Sequence, residues 1–281
     1  MTQPIVDKGA APPLTPEARR RKIEHKLLGH VMRCVRDFAL IEPGDRVMAC
    51  VSGGKDSYVM LHLLRELQRR LPFKFELFAV NLDQKQPNFP TEVLPTYMAK
   101  HGYTFHQLQR DTYSVVLKKV PANKTYCALC SRLRRGILYD AAVDLGATKI
   151  ALGHHRDDLI ETLLLNIFYS GQLKSMPPRL HSDDGRNVVI RPLAYCAEEH
   201  IAELSERMAF PIIPCDLCGT QENLQRKKMK QMLTEMSARN PKVKGNLLSA
   251  LTNVKPSHLL DRDLWERLGM TTPTGHDETV I

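Results

Sequence analysis

The chain has 281 residues, 43% hydrophobic and 25% charged, the make-up of a soluble globular protein long enough to bury a full core. No apolar run approaches the ~18–20 residues of a membrane-crossing helix, and the polar, proline-bearing start has no signal-peptide stretch, so a cytoplasmic protein with no membrane partner is expected. The net charge of +9 favours a polyanionic partner, while seven cysteines, a modest and odd count, exclude a disulfide-stapled scaffold and suggest thiols, metal ligands or redox groups.

Residues 1–16 carry Pro4, Pro12, Pro13 and Pro16 with little apolar content and read as a disordered lead-in. Residues 17–40 set Ile23, Leu27, Leu28, Val31, Val35 and Phe38 at helical spacing. Arg19-Arg20-Arg21-Lys22 on this helix suits a solvated face as well as a polyanion contact. Pro43-Gly44-Asp45 turns the chain into an apolar strand, which runs straight into Ser52-Gly53-Gly54-Lys55-Asp56-Ser57 and a helix over 58–70.

Strand, glycine turn and helix in that order make an oxyanion cradle. Two residues without Cβ let backbone N–H groups approach a phosphate, and the helix adds its positive end. Lys55 supplies a cation, and Ser52 and Ser57 supply hydroxyls. The usual nucleotide P-loop has Ser or Thr after its lysine. Here Asp56 follows, and an acid facing phosphates makes sense with Mg²⁺ between them.

Further along, 75–82 is a strand ending at Asp83, 92–101 a helix, 103–108 a strand and 131–145 a helix stopped by Gly146. A short buried strand at 149–153 precedes an apolar helix at 159–169. Another strand candidate at 187–190 precedes a helix at 198–208. Residues 172–187 and 214–223 read as loops. This alternation predicts an α/β fold: a doubly wound, mostly parallel sheet with helices on both faces and ligands at the carboxyl ends of its strands. One domain is expected over 17–262, with its last part helical, followed by a mobile tail at 270–281.

Two C-x-x-C pairs, Cys127/Cys130 and Cys215/Cys218, stand 85 residues apart, counted from Cys130 to Cys215 (215 − 130). They fit a Cys₄ zinc site, an iron–sulfur cluster or a redox dithiol. The first pair opens a helix between core elements, so the pairs meet only through the fold, at the nucleotide edge. Cys34, Cys50 and Cys196 lie in apolar surroundings and read as structural. Gly153-His154-His155-Arg156-Asp157-Asp158 passes from strand to helix. Its acids fit capping, or contacts to magnesium and nucleotide.

The loop resembles that of the pyrophosphatase-loop (PP-loop) ATPases, marked by Ser-Gly-Gly-x-Asp-Ser, which cleave ATP between the α and β phosphates and adenylate an oxygen. With Cys-x-x-Cys-Ser-Arg-Leu-Arg-Arg-Gly, Gly-His-His-x-Asp-Asp, Ser175-Met176-Pro177-Pro178, Arg191-Pro192-Leu193 and Pro214-Cys215-x-x-Cys218-Gly219, the chain from about 20 to 262 resembles the tRNA 2-thiocytidine synthetases.

The resemblance implies ATP-dependent thiolation of cytidine 32 in the tRNA anticodon loop. It places ATP and Mg²⁺ at Ser52, Gly53, Gly54, Lys55, Asp56, Ser57, Asp83, Gly153, His154, Asp157 and Asp158. A [4Fe–4S] cluster is implied on Cys127, Cys130 and Cys218, with Cys215 a neighbour or persulfide carrier and one iron left open for sulfide. Lys55, Asp56, Asp158 and Cys215 are the implied catalytic set. Arg134, Arg135, Arg226, Lys227 and Lys228 are candidates for tRNA phosphates. A cysteine desulfurase or another sulfur donor, and a homodimer, are the implied partners. The rival expectation is a PP-loop ligase or amidotransferase with structural zinc.

Overall fold

The computed structural model describes residues 15–119, 127–213 and 221–270. Helix α1 (Pro16–Asp37) opens with Thr15, whose hydroxyl accepts the Ala18 N–H at 3.2 Å, and proline fits the first turn because no N–H is needed there. Its apolar stripe, Ile23, Leu27, Leu28, Val31, Cys34 and Val35, is buried. Strand β1 (Arg46–Cys50), helix α2 (Lys55–Gln68), β2 (Glu76–Asp83), α3 (Val93–Lys100) and β3 (Phe105–Gln109) follow. Next come α4 (Thr112–Lys119), α5 (Cys127–Asp144), β4 (Lys149–Ala151), α6 (Arg156–Ser170), β5 (Arg179–His181), β6 (Val188–Ile190) and α7 (Glu198–Met208). The chain continues through α8 (Gln221–Arg239), α9 (Val243–Ala250) and α10 (Arg262–Arg267).

The six strands form one sheet in the order β3-β2-β1-β4-β6-β5, parallel except for β5, which pairs antiparallel with β6. Register separates its two faces. Phe78, Met48, Ile150 and Val189 line up on one face and pack with Ala142, Leu138 and Tyr139 of α5. Ala79, Ala49, Ala151 and Ile190 line up on the other, in the core shared with α1, α2 and α7. Helices therefore cover both faces, as the run of fully buried strands requires.

The elements missed in the sequence are short or polar. β5 lies inside the stretch read as a loop, and its three residues are half-buried or exposed, with no apolar run. Helix α8 begins at Gln221, inside the stretch read as loop to 223. The helix after the glycine loop starts three residues earlier than its apolar pattern suggested, so Lys55, Asp56 and Ser57 form its first turn.

Residues through Lys230 form one compact unit, and those from Gln231 a second, smaller one. In the smaller unit a 3-10 turn (Pro256–His258) and α10 are joined by Trp265, whose Nε1 donates to the carbonyls of Pro256 and Leu259, both at 2.9 Å. No helix among the described residues is long and apolar enough to cross a membrane.

Candidate active site at the carboxyl edge of the sheet

The loop after β1 is braced from inside. Ser57 donates its hydroxyl to Gly54 O at 2.8 Å and accepts the Ser52 N–H at 3.2 Å; Ser52 Oγ accepts the Gly54 N–H at 3.4 Å. Gly53 has φ +88, a left-handed conformation that costs glycine nothing, and a Cβ there would sit 2.8 Å from Ile213 Cδ1. Ile213 also donates its N–H to Gly53 O at 3.0 Å. Ile213 is the last described residue before the segment bearing Cys215 and Cys218, both of which lie outside the described residues.

The second motif lies against the first. A Cβ on Gly153 would approach Asp56 C and Ser57 N to 3.3 Å and Asp56 O to 3.4 Å, so the turn after β4 touches the first turn of α2. His155 caps α6 reciprocally with Asp158: Nδ1 accepts the Asp158 N–H at 3.4 Å, and Asp158 Oδ2 accepts the His155 N–H at 3.0 Å. His155 Nε2 lies 3.6 Å from Asp56 Oδ1. Asp157 is almost wholly buried and accepts the Glu198 N–H at 2.8 Å, which anchors the start of α7 to this turn. So Asp158 and Asp157 both do structural work here, beside any contact with a ligand.

Lys55 Nζ donates to both Asp56 oxygens, at 2.9 and 3.1 Å, and to Glu198 Oε1 at 3.3 Å. Burial works against its ammonium, but the bonds and charges of Asp56 and Glu198 outweigh it and raise its pKa. Lys230 Nζ donates to both oxygens of Glu198, at 2.8 and 2.7 Å. Burial pulls the Glu198 carboxyl upward, yet Lys230 and Lys55 hold it below its ordinary pKa. Arg226, one turn earlier on α8, reaches Asp158 Oδ1 at 3.9 Å and Glu161 Oε2 at 3.8 Å. Burial and the charge of Asp158 push Glu161 up to about 7.

His154 is pushed down to about 4 by burial and by Arg191, with Arg226 and Arg134 adding to it, so its ring is neutral near pH 7. Three arginines from three elements thus act on one imidazole, two of them being the Arg134 and Arg226 expected at tRNA. Arg134, Arg135, Lys227 and Lys228 are exposed. Asp83 is buried at the end of β2, where Oδ1 accepts the Lys85 N–H at 2.7 Å and Oδ2 lies 3.3 Å from Lys85 Nζ.

Directly after Asp83, Gln84 Oε1 accepts from Cys130 Sγ at 3.3 Å. Cys130 therefore stands at the same sheet edge, half-buried. Cys127 begins α5, but its side chain, like Cys215 and Cys218, falls outside the described residues. A soft thiol beside the nucleotide edge fits an iron–sulfur ligand, and Cys130 is the member of that set whose surroundings are described. Burial raises the thiols of Cys34, Cys50 and Cys196, Cys34 and Cys50 to about 12, which suits structural residues. Among the described residues no three His, Cys, Asp or Glu side chains already form a metal-ligand group.

A family model described as a PP-loop domain matches residues 24–237. The tRNA-cytidine(32) 2-sulfurtransferase of Anaeromyxobacter sp. (strain K) is 61% identical over 251 residues, covering 89% of this chain and 86% of the relative. The chain belongs to the tRNA-cytidine(32) 2-sulfurtransferase family of PP-loop proteins. Its relative of that name in Sorangium cellulosum (strain So ce56) is 57% identical, covering 89% of this chain and 88% of its own length. The solved U34-tRNA thiolase NcsA from Methanococcus maripaludis, with its [4Fe-4S] cluster, superposes with a TM-score of 0.67 at 18% identity, covering 84% of this chain and 82% of the thiolase, and shares the fold.

Sequence reasoning missed Glu198, Gln84 and Ile213 as site residues. Glu198 looks like any acid in the first turn of a helix, and only the fold brings it to Lys55. The signal available was its place just after the Arg191-Pro192-Leu193 motif.

Proposed function

We propose that this protein uses ATP to thiolate cytidine 32 in the tRNA anticodon loop, yielding 2-thiocytidine. The observation that carries the reading is the convergence on one glycine loop: the turn after β4 abuts its helix, and Ile213, at the threshold of the second cysteine pair, is hydrogen-bonded to Gly53. The choice of base follows the activity for which the relatives are named.

A pyrimidine carbonyl oxygen is a poor leaving group until it is esterified. The first task is therefore attack of cytidine O2 on the α-phosphate with loss of pyrophosphate. Charge on that leaving group is met by the open N–H groups and dipole of α2 and by Lys55. Mg²⁺ retains waters and phosphate oxygens among its ligands, so one or two carboxylates suffice, and Asp56 and Asp158 are the candidates. Asp83 and neutral His154 border the nucleotide, the imidazole without adding a cation beside the adenylate. Sulfur then replaces the activated oxygen at C2 and AMP leaves. A [4Fe–4S] cluster on Cys127, Cys130 and Cys218 would supply a soft site for that sulfur, with Cys215 beside it. Arg134, Arg135, Arg226, Lys227 and Lys228 are assigned to tRNA phosphates, and the target base leaves its stack, as a loop nucleotide readily does. A cysteine desulfurase or similar donor renews the sulfur.

Nucleoside mass spectrometry of tRNA from a host lacking this protein is expected to lose 2-thiocytidine and no other thionucleoside. Unchanged 2-thiocytidine overturns the reading. Protein purified without oxygen is expected to be brown and to contain iron; a colourless, zinc-containing preparation would point to a ligase instead.

A further inference from the structure

Two ammonium groups from distant parts of the sequence meet on one carboxylate oxygen. Lys55 Nζ, from the glycine loop, and Lys230 Nζ, from α8, lie 3.3 and 2.8 Å from Glu198 Oε1. Two cations gathered around a single oxygen is the arrangement a phosphate oxygen would also collect. The backbone of Glu198 is fixed, because its N–H is bonded to Asp157 Oδ2. The parts free to rearrange are the acid side chain and two long, flexible lysines. All four basic residues of this stretch are exposed, but Lys230 and Arg226, one turn apart, pair with the site's acids Glu198 and Asp158.

We propose that Glu198 occupies the place of an ATP phosphate, holding Lys55 and Lys230 until the nucleotide's polyphosphate takes both, so that Lys230 is a second phosphate-binding lysine. A polyphosphate carries several negative charges against the single charge of a carboxylate, so it wins both lysines while Glu198 turns aside. This rests on the ATP-binding reading above and deepens it.

The alternative role for Glu198 is to position Lys55 in support of ATP, and the two roles differ in sign. Binding of Mg·ATP and of pyrophosphate to the full chain, measured by titration calorimetry, is compared for wild type, Glu198→Gln, Lys230→Met and the double variant. Glu198→Gln is expected to tighten ATP binding severalfold, and Lys230→Met to weaken it about tenfold. Lys230→Met must still weaken binding in the Glu198→Gln background, because a lysine acting only through Glu198 would there have no effect. Weaker binding in Glu198→Gln, or no effect of Lys230→Met in that background, overturns the proposal. Absence of ATP binding in wild type would instead overturn the underlying reading. Matched far-ultraviolet dichroism and melting temperatures confirm that each variant is folded, and Glu198→Asp, which keeps the charge, should return ATP affinity toward wild type.

Discussion

The two ends of the sheet treat charge in opposite ways. At the amino end Lys149, almost wholly buried, pairs with Glu42 at 3.1 Å and Asp45 at 3.3 Å. Thr148 donates to Asp45 Oδ1 at 2.6 Å, and Asp45 Oδ2 accepts the Glu42 N–H at 2.7 Å. That network is closed on itself. At the carboxyl end, buried His154 Nδ1, Arg156 Nε and Arg191 Nε have no hydrogen-bond partner among the described residues. Buried polar atoms ordinarily find partners; other exceptions are scattered through the described residues, but these three lie together at the edge where the ligand is proposed to bind. One end has its charges matched for stability; the other also pairs Lys55, Lys230 and Arg226 with acids, yet leaves some hydrogen-bonding capacity unused.

The largest test of that contrast is Lys55→Met. Thiolation of tRNA in vitro is expected to fall about 10³-fold, as when a group facing developing charge is removed, with little change in melting temperature. At the opposite end Lys149→Met should do the reverse. It leaves the buried Asp45 carboxylate without its cation and costs about 3 kcal/mol in denaturant unfolding, while ATP affinity stays unchanged. A loss of ATP binding there would break the comparison.

Glu161 gives a smaller effect whose sign is set by its environment. Its folded-state pKa of about 7 lies above the ordinary 4.5, so its stabilising contribution is complete below pH 4.5 and is lost as pH rises through 7. Glu161→Gln should match wild type in stability at pH 4 and exceed it at pH 8 by about 2 kcal/mol in chemical denaturation. Equal pH profiles for the two proteins would show that Arg226 compensates the buried charge fully. The mildest change is Gly153→Ala. Its new methyl meets backbone of Asp56 and Ser57, so the neighbour must move by a few tenths of an ångström, and kcat is expected to fall about tenfold with stability nearly unchanged.

Much of this was legible in the sequence, for physical reasons. The buried strands β1, β2 and β4 are apolar runs, and Gly53 stands in a left-handed turn that other residues resist. The alternation of such strands with helices announced the mostly parallel sheet, and the strand, glycine loop and helix marked the edge expected to hold the nucleotide. β5 escaped because an exposed edge strand of three residues needs no apolar pattern. The last part of the chain is helical as expected, but the start of α8 escaped because a basic helix with few apolar positions gives no clear boundary, though Met229 is buried and Arg226 and Lys230 are paired with acids. Glu198 escaped because its meaning lies in two lysines 143 and 32 residues away. Capping is the structural role the sequence offers both acids beside ligand contacts; Asp158 does cap α6, whereas Asp157 instead holds the Glu198 N–H, a partner the sequence does not reveal.

The line of three alanines, Ala79, Ala49 and Ala151, has a mechanical implication. Ala79 and Ala49 lie on β2 and β1, the strands that α2 packs against, and the same helix carries Lys55, Asp56 and Ser57 in its opening turn. Adding a methylene group to Ala49 or Ala79 would tilt or raise the helix as a rod. The displacement would emerge at the far tip, where the nucleotide's charges are counted. Substrate affinity would then serve as a gauge of tolerances deep inside the molecule.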